Sequence, residues 1–210
     1  MSDRICIASG QTDQTRLSSE NLMTCCGSFT CGNGCNGGYP SGAWSYWTQT
    51  GIVSGYMDGS NYGCQDYFLK SCGFNCPHTI ATTPACSKSC RSGYNVQYDK
   101  DLRFGKTSYS VPQDETKIMT EIYTHGSVEA AFTVYSDFMS YKSGVYKHTT
   151  GSAEGGHAIK ILGWGVENGE KYWLVANSWS TAWGEKGYFK ILKGVNECGI
   201  EAGIVAGLAQ

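Results

Sequence analysis

The chain has 210 residues and a mass of 22.8 kDa, enough to bury a sizeable core in one large domain or in two small lobes around a cleft, which argues against disorder. Charged residues make up 16% and the formal net charge is -2, so neither a basic nucleic-acid surface nor an acidic tail is encoded and no nucleic-acid partner is expected. No apolar run approaches the ~20 residues of a spanning helix, so no membrane partner is expected either.

In chain order, Met1 to Cys6 lack a basic region, an apolar run and a small-residue cleavage site, and do not read as a signal peptide. A short helix is predicted from Ser19 through Leu22 and Met23 toward Cys25, with Ser18 or Ser19 as cap and Glu20 in its first turn. A second starts at Pro40, places Ala43, Trp44 and Trp47 at helical spacing, and stops at Gly51. From Cys64 to Cys90 five cysteines lie among Pro, Ser and Thr without apolar periodicity, which predicts a cross-linked surface loop. A helix is predicted over about Asp114–His125, with Ile118, Met119, Ile122 and Tyr123 on one face and Gly126 after it. Strands then dominate: Val128–Tyr135, Ala158–Trp164, Tyr172–Ala176 and Tyr188–Leu192, with Asn168-Gly169 as a turn. The expected fold class is α+β, a helical lobe over 1–84 followed by an antiparallel β lobe over 85–210.

Eleven cysteines with 28 glycines point to a disulfide-stapled fold made in an oxidising compartment, and the odd count leaves at least one thiol unpaired. Cys72, Cys76, Cys86 and Cys90 also form two pairs at zinc-ligand spacing, so a zinc-binding cysteine-rich module is one alternative.

Two segments carry chemistry. Gly155-Gly156-His157-Ala158-Ile159 opens one predicted strand, and Asn177-Ser178-Trp179 closes another, with Trp183-Gly184 shortly after. A histidine oriented by an asparagine oxygen can hold a neighbouring thiol as thiolate and later return a proton to a leaving amine. Alone, each segment also fits a structural role, with Trp179 and Trp183 as core aromatics.

Together these segments, with Tyr172-Trp173-Leu174-Val175-Ala176 before Asn177 and Gly187-Tyr188-Phe189 after Trp183, resemble the histidine–asparagine half of a papain-family cysteine protease. Cys25-Cys26 followed by Cys31, then Cys35-Asn36-Gly37-Gly38-Tyr39-Pro40, makes the resemblance one to the cathepsin B type, from Ser2 to about Ala206. It implies a papain-like fold of a helical lobe and a β-barrel-like lobe, and a cysteine-type endopeptidase acting on peptide or protein substrates. It further implies a monomer without metal or cofactor, open to cystatin-type inhibitors, in a lysosomal or extracellular setting. His157 is implied as the catalytic base, Asn177 as its orienting partner and Trp179 as their shield. Gly37 and Gly38 would offer backbone groups to an extended substrate, and Tyr39, Pro40, Ala131, Ala158 and Gly203 would surround the pocket for the side chain preceding the scissile residue.

The resemblance also implies the disulfides Cys25–Cys86, Cys26–Cys31, Cys64–Cys90 and Cys72–Cys76, leaving Cys6, Cys35 and Cys198 over. The family's nucleophile belongs to a Cys-Gly-Ser-Cys-Trp stretch that does not occur in these 210 residues. Ser2 to Cys6 resemble the later part of the helix that begins there, so the chain is expected to be N-terminally truncated and inactive alone. The loop matching cathepsin B's occluding loop is cut to Cys72-Gly73-Phe74-Asn75-Cys76 with only His78 nearby, which implies endopeptidase rather than carboxydipeptidase action. Gly203 stands where the family often carries an acid, which implies a preference for apolar or aromatic side chains. A non-catalytic secreted relative that binds peptides or inhibitors remains an alternative.

Overall fold

The computed structural model describes residues 1–27, 29–70 and 81–210. The expected Cys72–Cys76 bridge, the shortened loop and His78 lie outside them. The chain divides into a first unit, Met1–Tyr109 with Gly207–Gln210, and a second, Ser110–Ala206. The sequence reading divides it at 84 instead. Disulfides bind Cys86 to Cys25 and Cys90 to Cys64, which keeps the segment after 84 with the first unit.

In the first unit, helices are short: α1 (Ser2–Ala8), α2 (Ser19–Cys25), α3 (Pro40–Gln49) and α4 (Tyr98–Asp101). The Ser18 hydroxyl caps α2 by accepting from the Asn21 N–H, and Pro40 starts α3 where a missing N–H costs nothing. Trp44 and Trp47 of α3 are buried edge-to-face, with ring centroids 5.5 Å apart. Strand β1 (Gly105–Ser110) runs past Trp47, and a Cβ on Gly105 would fall 2.5 Å from that ring. The buried Arg4 guanidinium donates to the Gly207 carbonyl at 2.9 Å, satisfying a charge that burial would otherwise penalise. Buried Asp101 likewise accepts from the Ser54 N–H and hydroxyl and from the Tyr94 hydroxyl. Between these pieces the chain is held by Cys25–Cys86, Cys26–Cys31 and Cys64–Cys90. Cys6, Cys35 and Cys198 are free thiols.

The second unit begins with α5 (Glu115–His125), capped by the Asp114 carboxylate on the Lys117 N–H and packed against the sheet through Ile118 and Ile122. The strands are β2 (Val128–Tyr135), β3 (Val145–Tyr146), β4 (Ala153–Glu167), β5 (Glu170–Ala176), β6 (Tyr188–Leu192) and β7 (Val205–Ala209), whose last residues belong to the first unit. They lie side by side as β7-β2-β4-β5-β6-β3, antiparallel except that the two-residue β3 runs parallel to β6. Along β2 the even positions Val128, Ala130, Phe132 and Val134 are buried and the odd ones half-exposed, the period-two pattern of a sheet covered on one face. An aromatic cluster of Phe132, Phe138, Trp183 and Phe189 fills the space behind β2 and β6.

Candidate active site

The second unit brings His157 and Asn177 together. His157 stands on β4 opposite Phe132 of β2. Lys160 of β4 pairs with Ala176 at the end of β5, so Asn177 comes level with position 159, and His157, two residues further along, projects to the same side. Their side chains meet with Nε2 of His157 2.8 Å from Oδ1 of Asn177. The same Oδ1 accepts the N–H of Ser178 at 2.7 Å, and the Asn177 main chain is tied to the Gly187 carbonyl.

That second bond fixes the chemistry. Only an oxygen can accept from Ser178, so the amide cannot be turned round, and the imidazole must offer a proton on Nε2. The lone pair of a neutral ring is thereby assigned to Nδ1, the atom left to exchange a proton with a reacting group. Nδ1 has no hydrogen-bond partner among the described residues.

The ring is flanked by aromatics. Trp179 stacks on it with centroids 5.2 Å apart, and Phe132 lies 6.1 Å away on the inner side. Trp179 is itself set by edge contacts with Phe138 and Trp183, and the Trp183 N–H is anchored on the Met139 carbonyl. Trp179 thus covers one face of the His157 ring. The Asn177 Nδ2 is buried without a partner among the described residues, a cost of about 1–3 kcal/mol borne at the site.

Next to His157 the outer face of the sheet carries the small residues Ala131 and Ala158. Ala158 pairs with Ala131, and on the other side of β2 Glu129 pairs with Val205, two residues after Gly203. Ala158 and Gly203 are exposed, and a Cβ on Gly203 would meet no atom within 4 Å. Small residues are thus exposed on these segments, and the next pair on the same face of β2 and β4 is Glu129 with Lys160.

The remaining expected residues lie in the first unit. Gly38 is exposed on a turn where the Asn33 N–H bonds the Gly37 carbonyl and the Tyr39 N–H bonds the Cys31 carbonyl. The N–H and carbonyl of Gly38 itself have no partner among the described residues. No side chain fits there, since a Cβ would fall 2.2 Å from the Cys31 carbonyl oxygen. Tyr39 is 67% exposed and precedes Pro40, the first residue of α3.

Cys198, the second unit's one cysteine, is directed at Glu197. Burial, followed by the Glu197 carboxylate, pushes its thiol up to about 12, so it stays protonated and is a poor nucleophile. Phe132 beside His157, Phe138 against Trp179 and the buried Glu201 were not singled out in the sequence. Of these only Phe132 leaves a signal, its place in the alternation of β2. Among the described residues no group of three or more His, Cys, Asp or Glu side chains is arranged to hold a metal ion.

Comparison with known proteins accords with this geometry. The family described as papain family cysteine protease matches residues 1–208. The chain is 52% identical over 219 aligned residues to cathepsin B-like cysteine proteinase 5 of Caenorhabditis elegans, covering 99% of this chain and 64% of that protein. It is 53% identical over 211 residues to the gut-specific cysteine proteinase of the same organism, covering 100% of this chain and 63% of the relative. Among solved structures, procathepsin B S9 from Trypanosoma congolense superposes with a TM-score of 0.84 at 40% identity, over 100% of this chain and 65% of the other. The chain therefore spans less than two thirds of the length of each of these proteins. On the match over residues 1–208 and these identities, the chain belongs to the papain family of cysteine proteases and groups with its cathepsin B-like members.

Proposed function

We propose that these residues supply the base, the orienting amide and much of the substrate floor of a cysteine-type endopeptidase. The observation that carries the reading is the 2.8 Å bond from His157 to an Asn177 oxygen locked by the Ser178 N–H. With Nε2 holding its proton on Asn177, Nδ1 takes the proton of a cysteine thiol and keeps the sulfur as thiolate. The thiolate attacks a peptide carbonyl carbon, the carbonyl electron pair moves onto oxygen, and the C–N bond breaks as the imidazolium donates its proton to the leaving amine. Water, deprotonated at Nδ1, then displaces the sulfur and restores the thiol.

The nucleophile comes from the family's Cys-Gly-Ser-Cys-Trp stretch. Six described cysteines are engaged in disulfides, Cys198 faces Glu197, and the free Cys6 and Cys35 stand in no such stretch, so the 210 residues alone are not expected to turn over peptides. The bridges of Cys86 and Cys90 favour this reading over a zinc set drawn from the same cysteines. The unpartnered Gly38 backbone suits an extended peptide that adds as a strand, and the Ala131, Ala158 and Gly203 floor suits an apolar or aromatic side chain before the scissile residue. Peptide or protein substrates and cystatin-type inhibitors are the partners that suit these residues, and the three described disulfides suit a lysosomal or extracellular setting.

The test joins these residues to the nucleophile-bearing stretch and follows peptide hydrolysis. His157→Ala should cost at least about 10³-fold in kcat, and Asn177→Ala on the order of 10²-fold with KM little changed. Turnover by the 210 residues alone, or full activity without His157, refutes the assignment. Preferential release of C-terminal dipeptides refutes the endopeptidase part only.

A further inference from the structure

We propose that Glu201 is a positioning residue for side-chain selectivity: its buried carboxylate clamps segment 194–204, fixes Gly203 just before the pairing of β7 with β2, and so sets which side chain the floor admits. The proposal rests on the reading of those three residues as the pocket floor.

Glu201 is only 5% exposed, yet it lies two residues from the exposed Gly203. Its Oε1 accepts the indole N–H of Trp173 at 2.8 Å and the Gly194 N–H at 2.6 Å, and its Oε2 accepts the Asn196 N–H at 2.9 Å. The Glu201 N–H in turn donates to Asn196 Oδ1 at 2.8 Å, so side chain and main chain close a ring across the turn. Asn196 needs that hold because its φ of 54° is left-handed, and an Asn tolerates it through such local bonding.

The anchor on the other side is rigid. Trp173 is fully buried on β5, and Lys193 places its ammonium 5.2 Å from the ring centroid while pairing with Glu115 of α5. Ile200 and Ile204, on either side of the exposed pair Ala202 and Gly203, are buried. Segment 194–204 is therefore fastened to the central sheet by one carboxylate and two isoleucines. A buried carboxylate is expensive to keep, and an apolar residue of similar size would often stabilise a core as well or better. What the carboxylate adds is direction: three donors converge on it from β5 and from the turn, which specifies a single placement of the chain leading to Gly203.

The test uses the complete enzyme and two peptides differing only in the residue before the scissile one, Val in one and Phe in the other. Glu201→Gln keeps an oxygen for Trp173 and Gly194 but opposes an N–H₂ group to the Asn196 N–H. Asn196→Gly permits the left-handed backbone while removing the Oδ1 acceptor, and serves if the first variant does not fold. Each should change the Phe-to-Val ratio of kcat/KM by at least about fivefold, mainly through KM. The pH profile of kcat should keep its shape, because His157 and Asn177 are untouched. An unchanged ratio in the folded variants, even with a lower Tm, overturns the proposal and leaves Glu201 a purely structural residue. Gly203→Val separates the two readings: if it shifts the ratio while the other variants do not, only the clamp fails, and if it shifts nothing, the floor fails with it.

Discussion

On the proposed function, Gly203 decides what charge the substrate floor tolerates. A side chain there would point into open space, with no atom within 4 Å of its Cβ, and the neighbouring Ala131 and Ala158 bring no charge. Gly203→Glu should therefore fold normally and place a carboxylate at the floor. In the complete enzyme kcat/KM for a peptide with Arg before the scissile residue should rise about tenfold or more relative to its Phe counterpart, through KM. An unchanged Arg-to-Phe ratio removes Gly203 from the floor. That His157 and Asn177 come together was legible in the sequence because each sits in a run that resembles the family. The locking of the Asn177 oxygen by Ser178, the Phe132 ring beside His157 and the four bonds around Glu201 were not. The Phe132 contact depends on the register of β2 with β4, and the bonds of Asn177 and Glu201 depend on local backbone turns, neither of which residue identity alone discloses.

At the scale of elements, the turn after β2 depends on one carboxylate. Asp137 accepts from the Tyr146 hydroxyl at 2.7 Å and from the Thr149 and Thr150 N–H groups at 2.9 and 3.2 Å, and His148 Nδ1 lies 3.2 Å away. Burial works to raise its pKa, but the Thr149 N–H, the Tyr146 hydroxyl, His148 and the Thr150 N–H outweigh it and hold the carboxyl well below the usual range. A depressed carboxylate contributes stability that is fully present above its unfolded value near 3.9 and lost as pH falls through the folded value. Asp137→Asn should thus cost on the order of 2–3 kcal/mol at pH 7, and the gap in denaturant midpoint from the parent should close as the pH is taken below about 3. A gap independent of pH shows that shape rather than charge holds the turn. Elements with a strong local pattern, such as α5 between Asp114 and Gly126, were legible in the sequence. Strands β1 and β7 were not: Gly105–Ser110 is polar almost throughout and Val205–Ala209 lacks alternation, so pairing rather than pattern makes them strands.

For the whole molecule the cysteine count carried real information about how order is divided. Composition announced a stapled fold, but no local signal marked the boundary after Tyr109 or the return of Gly207–Gln210 to the first unit, because both follow from contacts distant in sequence. All three described bridges fall within the first unit, where helices are short and much of the chain is irregular. The second unit relies instead on its sheet and aromatic core. Cys25–Cys86 and Cys64–Cys90 close spans of 61 and 26 residues, so a chain-entropy account gives each about 3–4 kcal/mol. Reduction should therefore act unequally. After treatment with a thiol reductant under native conditions, hydrogen exchange should accelerate across 14–70 and 81–104 while β2, β4 and β5 amides keep most of their protection. Equal loss of protection in both units means that the sheet has no stability of its own. Unchanged exchange in the first unit means that its small core and the buried bonds of Asp101 and Arg4 suffice without the bridges.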